Sequence, residues 1–300
     1  MRDLVIIGSG PAGLSAAVYA SNACMDFIVI EKYPMSGGQI LNTEEVNNYL
    51  GFESAEGFTL GQTFRNHAEK SGATFVNDEV VSISKNETHF EVKCENETYL
   101  SKAVILATGV TRKHLNVKGE SEFAGKGVSY CATCDGNFFR NKTVAVVGGG
   151  DVACEDALYL ANVCEKVYLI HRRDKLRATK YLQNRVFDNK KIAFVPNANV
   201  TEINGGNAVE SVLLDNGSVL SVNGIFIAIG VEPEVEFLKG LADTDSLGFI
   251  VANEDCKTSV DGLFVAGDIR TKPLRQISTA VSDGANAVKS AEDYFNRIDM

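Results

Sequence analysis

No apolar run in this 300-residue sequence reaches ten residues; stretches such as AVILATGV and GIFIAIGV are too short for the roughly 20 residues that a bilayer-crossing helix needs. Positive charge is also scarce. With 29 Lys and Arg against 39 Asp and Glu, the net charge is -10 and the pI near 5.0. Nothing is basic enough to favour nucleic acid or an anionic membrane as a partner, the basic residues between 172 and 177 being a local exception. A basic leader before the first apolar strand is missing too, so no signal peptide is expected. Low-complexity segments and long linkers are absent. Zinc-type spacing is absent as well, because the CxxC at Cys131 and Cys134 has no second ligand pair among the other cysteines and histidines. Seven cysteines in a chain without a leader suit a reducing, cytoplasmic setting in which thiols stay free unless chemistry requires otherwise. The length and the 45% hydrophobic content imply two domains with real cores.

What is present is an alternation of short β-branched runs with alanine-rich stretches, the pattern of an α/β fold. One unit is repeated. DLVIIGSGPAGLSAAVYAS followed by DFIVIE reads as strand, glycine turn, helix and strand, and TVAVVGGGDVACEDALYLAN followed by KVYLIHRR reads the same way. Gly8, Gly10 and Gly13 correspond to Gly148, Gly150 and Ala153, and Glu31 to His171, at a constant offset of 140 residues. Two Rossmann-like three-layer dinucleotide-binding domains are predicted. The first glycine serves the tight turn, the second the approach of backbone N–H groups to a pyrophosphate, and the third (or Ala153) close packing of helix on strand. The anion then sits at a helix N-terminus.

The residue that ends the second strand selects the nucleotide. Glu31 can accept from a ribose 2′-OH and repels a 2′-phosphate, which suits FAD or NAD; His171, Arg172, Arg173 and Arg177 present cationic donors instead, which suits NADP(H). AVILATG ends near Gly109, and GLFVAGDIR ends at Gly267 and Asp268, a candidate acceptor for a ribitol hydroxyl; Asp268 as a plain turn residue is the simpler alternative. Arg275 and Gln276 precede an amphipathic helix whose dipole could stabilise a reduced flavin. The flavin pieces therefore lie at both ends of the chain. A discontinuous FAD domain over 1–111 and 242–300 is expected, with an NADPH domain over 112–241 inserted between two crossings that could act as a hinge.

Within the insert lies YCATCDG. A structural staple is a poor reading, because a two-residue loop constrains little of the unfolded chain. A redox pair fits better: neighbouring sulfurs close and reopen, and Asp135 can shuttle the proton or, more simply, cap the segment that follows. Cys24, Cys154 and Cys164 are expected on apolar helix faces, and Cys94 and Cys256 lack a partner at motif spacing. The parts line up as a path from NADPH through flavin to a dithiol.

The combination and order of GSGPAGLSAA, SGGQI with EEVNNYLGF, YCATCDGNFF, GGGDVACEDALYL, HRRDKLRA and GDIRTKPLRQISTA resembles the low-molecular-weight bacterial thioredoxin reductases over essentially the full length. The resemblance implies a homodimer with FAD and NADPH that reduces the disulfide of thioredoxin and rotates its NADPH domain between half-reactions. It implies that Cys134 faces the flavin, Cys131 attacks thioredoxin and Asp135 is the acid. It also implies FAD contacts from Ser9, Gly10, Pro11, Ala12, Gly13, Glu31, Lys32, Gly38, Gln39, Asn48, Asp268, Arg275, Gln276 and Ile277. NADPH contacts are implied for Gly150, Asp151, His171, Arg172, Arg173 and Arg177. Val152 stands where the family has a hydroxyl, which removes one nucleotide contact, and Leu50 replaces a common proline. The rival readings are a ferredoxin-fed flavin reductase, a flavin-dependent thiol or NAD(P)H oxidase, and a non-catalytic redox sensor.

Overall fold

A computed structural model describes residues 1–43, 46 and 48–298. The chain packs into two compact units, Met1–Thr111 with Glu232–Met300, and Arg112–Val231. The second crossing thus falls at 231/232, ten residues before the expected 241/242. The reason is packing: Leu238 is buried with Val5, Ile7 and Val104 of the first unit, so the segment after Val231 belongs there.

The chain opens with β1 (Arg2–Ile7), whose last four residues are fully buried, then α1 (Pro11–Asn22) and β2 (Phe27–Glu31). Helix α2 (Gly57–Lys70) leads to β3 (Phe75–Asn77). An antiparallel hairpin follows, β4 (Val80–Lys85) with β5 (Phe90–Cys94), then the long β6 (Thr98–Leu106) and β7 (Val110–Arg112). Strand β6 has two partners in turn on one side: its start pairs antiparallel with β5, and its buried end, Val104 to Leu106, pairs parallel with a later strand.

The second unit is built on β8 (Val128–Ser129), β9 (Thr143–Val147), β10 (Lys166–Ile170), β11 (Ile192–Val195) and β15 (Gly224–Ile227), ordered β11-β10-β9-β15-β8 and parallel throughout. The short helix α3 (Ala132–Asp135) follows β8, α4 (Asp151–Val163) joins β9 to β10, and α5 (Lys180–Asp188) precedes β11. A separate antiparallel sheet holds β12 (Val200–Gly205), β13 (Val209–Leu214) and β14 (Val219–Ser221). Strand β16 (Val231–Pro233) pairs with β7 as a two-stranded ribbon, so the two chain crossings run side by side.

Back in the first unit, β17 (Leu263–Val265) adds to β6, and the 22-residue α6 (Ile277–Ile298) lies along α1. The close approach of these helices is made by small residues: a Cβ on Gly284 would stand 2.2 Å from the Ala12 carbonyl oxygen. The main sheet runs β3-β2-β1-β6, parallel, with the hairpin on one side. Both units are therefore three-layer parallel α/β folds of dinucleotide-binding type. Among the described residues, no helix is long and apolar enough to cross a membrane.

Candidate active site

In each unit the loops of interest leave the carboxyl ends of adjacent parallel strands, where open α/β sheets bind ligands. In the first unit these loops follow β1, β6 and β17. Gly8 has φ +98°, and a Cβ there would stand 2.5 Å from the Ala107 carbonyl oxygen; one on Gly13 would stand 1.9 Å from the Gly8 carbonyl oxygen. Both glycines are thus required by the protein's own backbone. Gly10 is different. It is the N-cap of α1, with φ -71° that any residue adopts, and the nearest atom to its Cβ position is the Gly38 Cα at 4.0 Å. Among the described residues no side chain caps the helix, and Pro11 at its start has no N–H to satisfy. This open, uncapped helix start fits a pyrophosphate, and with it FAD.

Glu31 braces the loop. Its Oε2 accepts from the Ser9 N–H (2.8 Å) and Ser9 hydroxyl (2.7 Å), and its Oε1 from the Tyr33 N–H at 3.0 Å. Lys32 donates to Glu234 at 2.8 Å, so its charge is engaged within the protein. Gln39 Nε2 donates to the Val110 carbonyl at 2.5 Å, and Asn48 Nδ2 to Gln276 Oε1 at 3.0 Å. Gly109, after β6, has nothing within 4 Å of its Cβ position among the described residues, and Gly38 lies opposite Gly10. Ala12 packs under Gly267, whose Cβ position is 2.9 Å from it. Asp268 is half-buried, and Arg275 spans the carbonyls of Asp268, Arg270 and Lys272 at 3.1 to 3.3 Å while lying over the Phe249 ring. Ile277 begins α6 and packs beside Ile40 and Leu60.

A residue not anticipated from the sequence organises this loop. Asp283, buried in α6, accepts from the Gly267 N–H (2.9 Å), from Arg270 through Nε (2.9 Å) and a second nitrogen (2.7 Å), and from Lys272 (2.6 Å). Burial pushes its carboxyl up, but the two cations outweigh that and hold it below the ordinary carboxylate range. The sequence carried a signal for it: Asp283 sits on the same helical face as Ala280, Gly284 and Ala287, where an unpaired acid would be costly.

In the second unit the loop after β9 repeats the pattern. Gly148 (φ +154°) is confined by the Ala228 carbonyl oxygen (2.4 Å) and the Ala153 Cβ (2.7 Å), whereas Gly150, N-cap of α4 at φ -91°, has nothing within 4 Å of its Cβ position among the described residues. Asp151 accepts from the Thr179 N–H at 2.7 Å, and the Arg177 and Ala178 N–H groups donate to the Gly149 carbonyl at 2.6 and 3.2 Å. The basic segment is thereby tied to the glycine loop. Arg172, Arg173 and Arg177 are exposed, and among the described residues no carboxylate pairs with them. The open helix start and three available guanidiniums fit NADPH. His171 departs from its expected role. Its ring is buried against Gly149, where a Cβ would stand 2.4 Å from it, and burial with the neighbouring arginines lowers its pKa and disfavours the charged form, unlike the exposed arginines that follow. Val152 is exposed beside Gly150.

The cysteine pair lies at the same edge, after β8. Cys131 and Cys134 form a disulfide, with Cys131 as N-cap of α3. Asp135 is held by the Ser129 hydroxyl at 2.5 Å, and burial raises its pKa against the opposing pull of that bond and of Arg112. Gly136 lets α3 close on α4: its Cβ position is 2.9 Å from the Tyr159 ring. The other thiols are of no such kind. Cys94, Cys154, Cys164 and Cys256 are buried, which pushes them up to between about 11 and about 12. Cys24, expected on an apolar helix face, is instead exposed in a left-handed turn beyond α1.

Residues 2–284 match the family described as pyridine nucleotide-disulphide oxidoreductases. The chain is 42% identical over 302 aligned residues to a thioredoxin reductase of Listeria innocua, covering 99% of this chain and 94% of the relative. It is 43% identical to a thioredoxin reductase of Bacillus subtilis, covering 99% and 95%. The crystal structure of thioredoxin reductase from Streptococcus pyogenes superimposes with a TM-score of 0.91 at 41% identity, covering 99% of each chain.

Proposed function

This chain belongs to the thioredoxin reductases of the pyridine nucleotide-disulphide oxidoreductase family, enzymes that use FAD and NADPH, and on that premise we propose how its residues divide the work. The Gly8–Gly13 loop, Glu31, Gly109 and the Gly267–Asp268 turn hold FAD. The Gly148–Ala153 loop with Arg172, Arg173 and Arg177 holds NADPH. Bound flavin supplies a two-electron relay from nicotinamide to the Cys131–Cys134 disulfide.

The chain's own groups do the rest. The disulfide accepts two electrons and one proton and opens to a thiol and a thiolate. Cys131 Sγ attacks one sulfur of oxidised thioredoxin; the S–S bond there breaks, a mixed disulfide forms, and the departing thiolate takes its proton from Asp135. The Asp135 carboxylate takes the Cys134 proton, and Cys134 Sγ closes on Cys131 Sγ, expelling the second thioredoxin cysteine as a thiolate and restoring the starting disulfide and the protonated acid. The carboxyl's raised pKa suits it to carry a proton near neutrality. Cysteine pair and nucleotide loop belong to one unit and the flavin loops to the other. Presenting each in turn to a single flavin therefore calls for rotation of the second unit about the paired crossings β7 and β16. A cytoplasmic homodimer completes the reading.

The observation that carries this proposal is the disulfide at the carboxyl edge of the same parallel sheet in which β9, one strand removed from β8, ends in the open Gly150 loop. Anaerobic titration of the flavin tests it. NADPH should bleach the flavin absorbance, oxidised thioredoxin should restore it, and Cys131→Ser should keep the first response and lose the second. Bleaching by NADH but not NADPH would remove the donor assignment, and rapid bleaching by reduced ferredoxin alone would favour a ferredoxin-fed reductase. Oxygen uptake untouched by Cys131→Ser would point to an oxidase.

A further inference from the structure

Two residues before the cysteine pair, Ser129 ends strand β8 with its side chain buried. Its hydroxyl has three polar contacts: one in which it accepts, and two acceptors, the Asp135 carboxylate and the more distant Cys131 carbonyl oxygen at 3.4 Å, that compete for its proton. The oxygen accepts the Cys131 N–H at 3.1 Å and the hydroxyl donates to Asp135 Oδ2 at 2.5 Å. A serine hydroxyl has a single proton, so the short contact to the carboxylate takes it, and the amide of Cys131 fixes the oxygen from the other side. The strand beneath is itself fixed, with Ser129 in parallel register with Phe226 of β15. One buried atom thus joins the backbone of one cysteine to the acid that follows the other.

We propose that Ser129 is the positioning residue for the acid of the thiol–disulfide exchange, holding the Asp135 carboxyl in one orientation at the cysteine pair and favouring its ionised form. This deepens the assignment of Asp135 as the proton donor and rests on it. The hydroxyl donates to the carboxylate at 2.5 Å, shorter than its 3.4 Å contact with the Cys131 carbonyl oxygen, so it stabilises the charged acid and lowers its proton affinity. Burial acts the other way, and the acid's working range is the balance of the two. Arg112, from β7, is the charged group that also acts on Asp135. Helix α4, packed on α3, brings Tyr159 and Leu160 against Gly136, and its Asp156 shares the attraction of Arg112. On the other side of the strand end, Tyr130 donates to the buried Glu120, so that phenol is engaged away from Asp135.

The test is the pH dependence of thioredoxin reduction by the FAD-loaded enzyme, with kcat and KM for thioredoxin measured separately. An acid that must be protonated gives an alkaline limb, activity falling as pH rises through its pKa. Ser129→Ala should move that limb upward by about one to two pH units, the effect of losing one hydrogen bond to a charged group. It should lower kcat about tenfold and leave the KM for thioredoxin within about twofold, since the buried hydroxyl offers thioredoxin no contact. Ser129→Thr, which keeps the hydroxyl, should restore the limb. Ser129→Cys, of similar size with a weaker donor, should shift the limb in the same direction as alanine, and it serves if the alanine variant does not fold. A limb that stays in place in Ser129→Ala and Ser129→Cys while Asp135→Asn abolishes it would overturn the role of Ser129 alone. A limb that survives in Asp135→Asn would overturn the acid assignment on which the proposal stands.

Discussion

Gly150→Ala separates what the fold needs from what the nucleotide needs. The backbone at Gly150 (φ -91°, ψ -176°) is open to alanine, and no described protein atom lies within 4 Å of the added Cβ. Alanine at a helix N-cap costs about 0.5–1 kcal/mol relative to glycine, and the stiffer unfolded chain returns about 0.4–1 kcal/mol. The two cancel, so Tm should stay within about 3 °C of wild type. The ligand side does not cancel. The methyl occupies the space at the uncapped start of α4 that a pyrophosphate needs, and displacing one phosphate oxygen from one N–H removes a hydrogen bond to a charged group, about 1.5–3 kcal/mol. At about 1.4 kcal/mol per tenfold, KM for NADPH should rise about 10- to 100-fold. The assay pairs a thermal melt of the FAD-loaded enzyme with stopped-flow flavin reduction across NADPH concentrations. Unchanged NADPH saturation in a normally folded variant would refute the placement of the pyrophosphate at this loop. Gly149→Ala is the contrasting control, because its Cβ meets the buried His171 ring at 2.4 Å and should lower Tm by overpacking.

Three further outcomes follow from particular groups. Asp283→Asn removes the buried carboxylate from Lys272 and leaves Arg270 only the exposed Glu254, and should destabilise the protein by about 3–5 kcal/mol, with faster FAD release followed by flavin fluorescence. Because the folded pKa of Asp283 is depressed, its contribution is present above the unfolded value near 3.9 and is lost as pH falls through the folded one; the acid side of a Tm-versus-pH curve should therefore be flatter in the variant. Asp156 behaves oppositely: burial, with Glu155, pushes its carboxyl up to about 7, so stability is lost as pH rises from about 4 to about 7, and Asp156→Asn should gain Tm progressively over that range. Replacing Arg172, Arg173 and Arg177 together by Gln should raise KM for NADPH on the order of 100-fold or more while changing KM for NADH less than about threefold; equal changes would dissociate these residues from the 2′-phosphate.

Much of this was legible because the informative contacts are local or periodic. The repeat at an offset of 140 residues gave both glycine loops, and β1 and β9, β2 and β10 stand where it put them. The CxxC was visible, and its disulfide is present. What escaped depends on residues remote in sequence. Lys32 reads as a cofactor contact, and nothing local in the sequence announces that Glu234, 202 positions away, is brought to its ammonium. The late start of β17 hides that Leu238 already belongs to the first unit's core. His171 begins a run of bases and therefore reads as one more cation, yet a ring just beyond a strand end, beside a glycine without a Cβ, is drawn into that gap. Ser129 escaped for another reason: a single hydroxyl has no periodicity, and its meaning arises only when a strand end and the first turn of a helix bring two of its neighbours to one atom.

The two loops also show how a repeated scaffold changes its ligand. The position after the first glycine, Ser9 in one copy and Gly149 in the other, meets the residue at or just beyond the end of the second strand, Glu31 or His171. Serine supplies an N–H and a hydroxyl that both donate to a carboxylate, so Ser9 and Glu31 hold each other and keep negative charge at the nucleotide edge. Glycine supplies only space, which the ring fills, so Gly149 and His171 present no negative charge and the following arginines decide the ligand. The two positions therefore constrain each other. A serine at 149 with His171 retained introduces a Cβ into a ring 2.4 Å away, and a glutamate at 171 with Gly149 retained loses the hydroxyl donor that Glu31 has. Conversion of one loop toward the other's preference requires both changes together, and the double variant Gly149→Ser with His171→Glu should fold better than the sum of the single variants predicts. A double-mutant cycle on Tm reads that coupling directly, and strict additivity would mean that the pair is not the unit by which these loops set their charge.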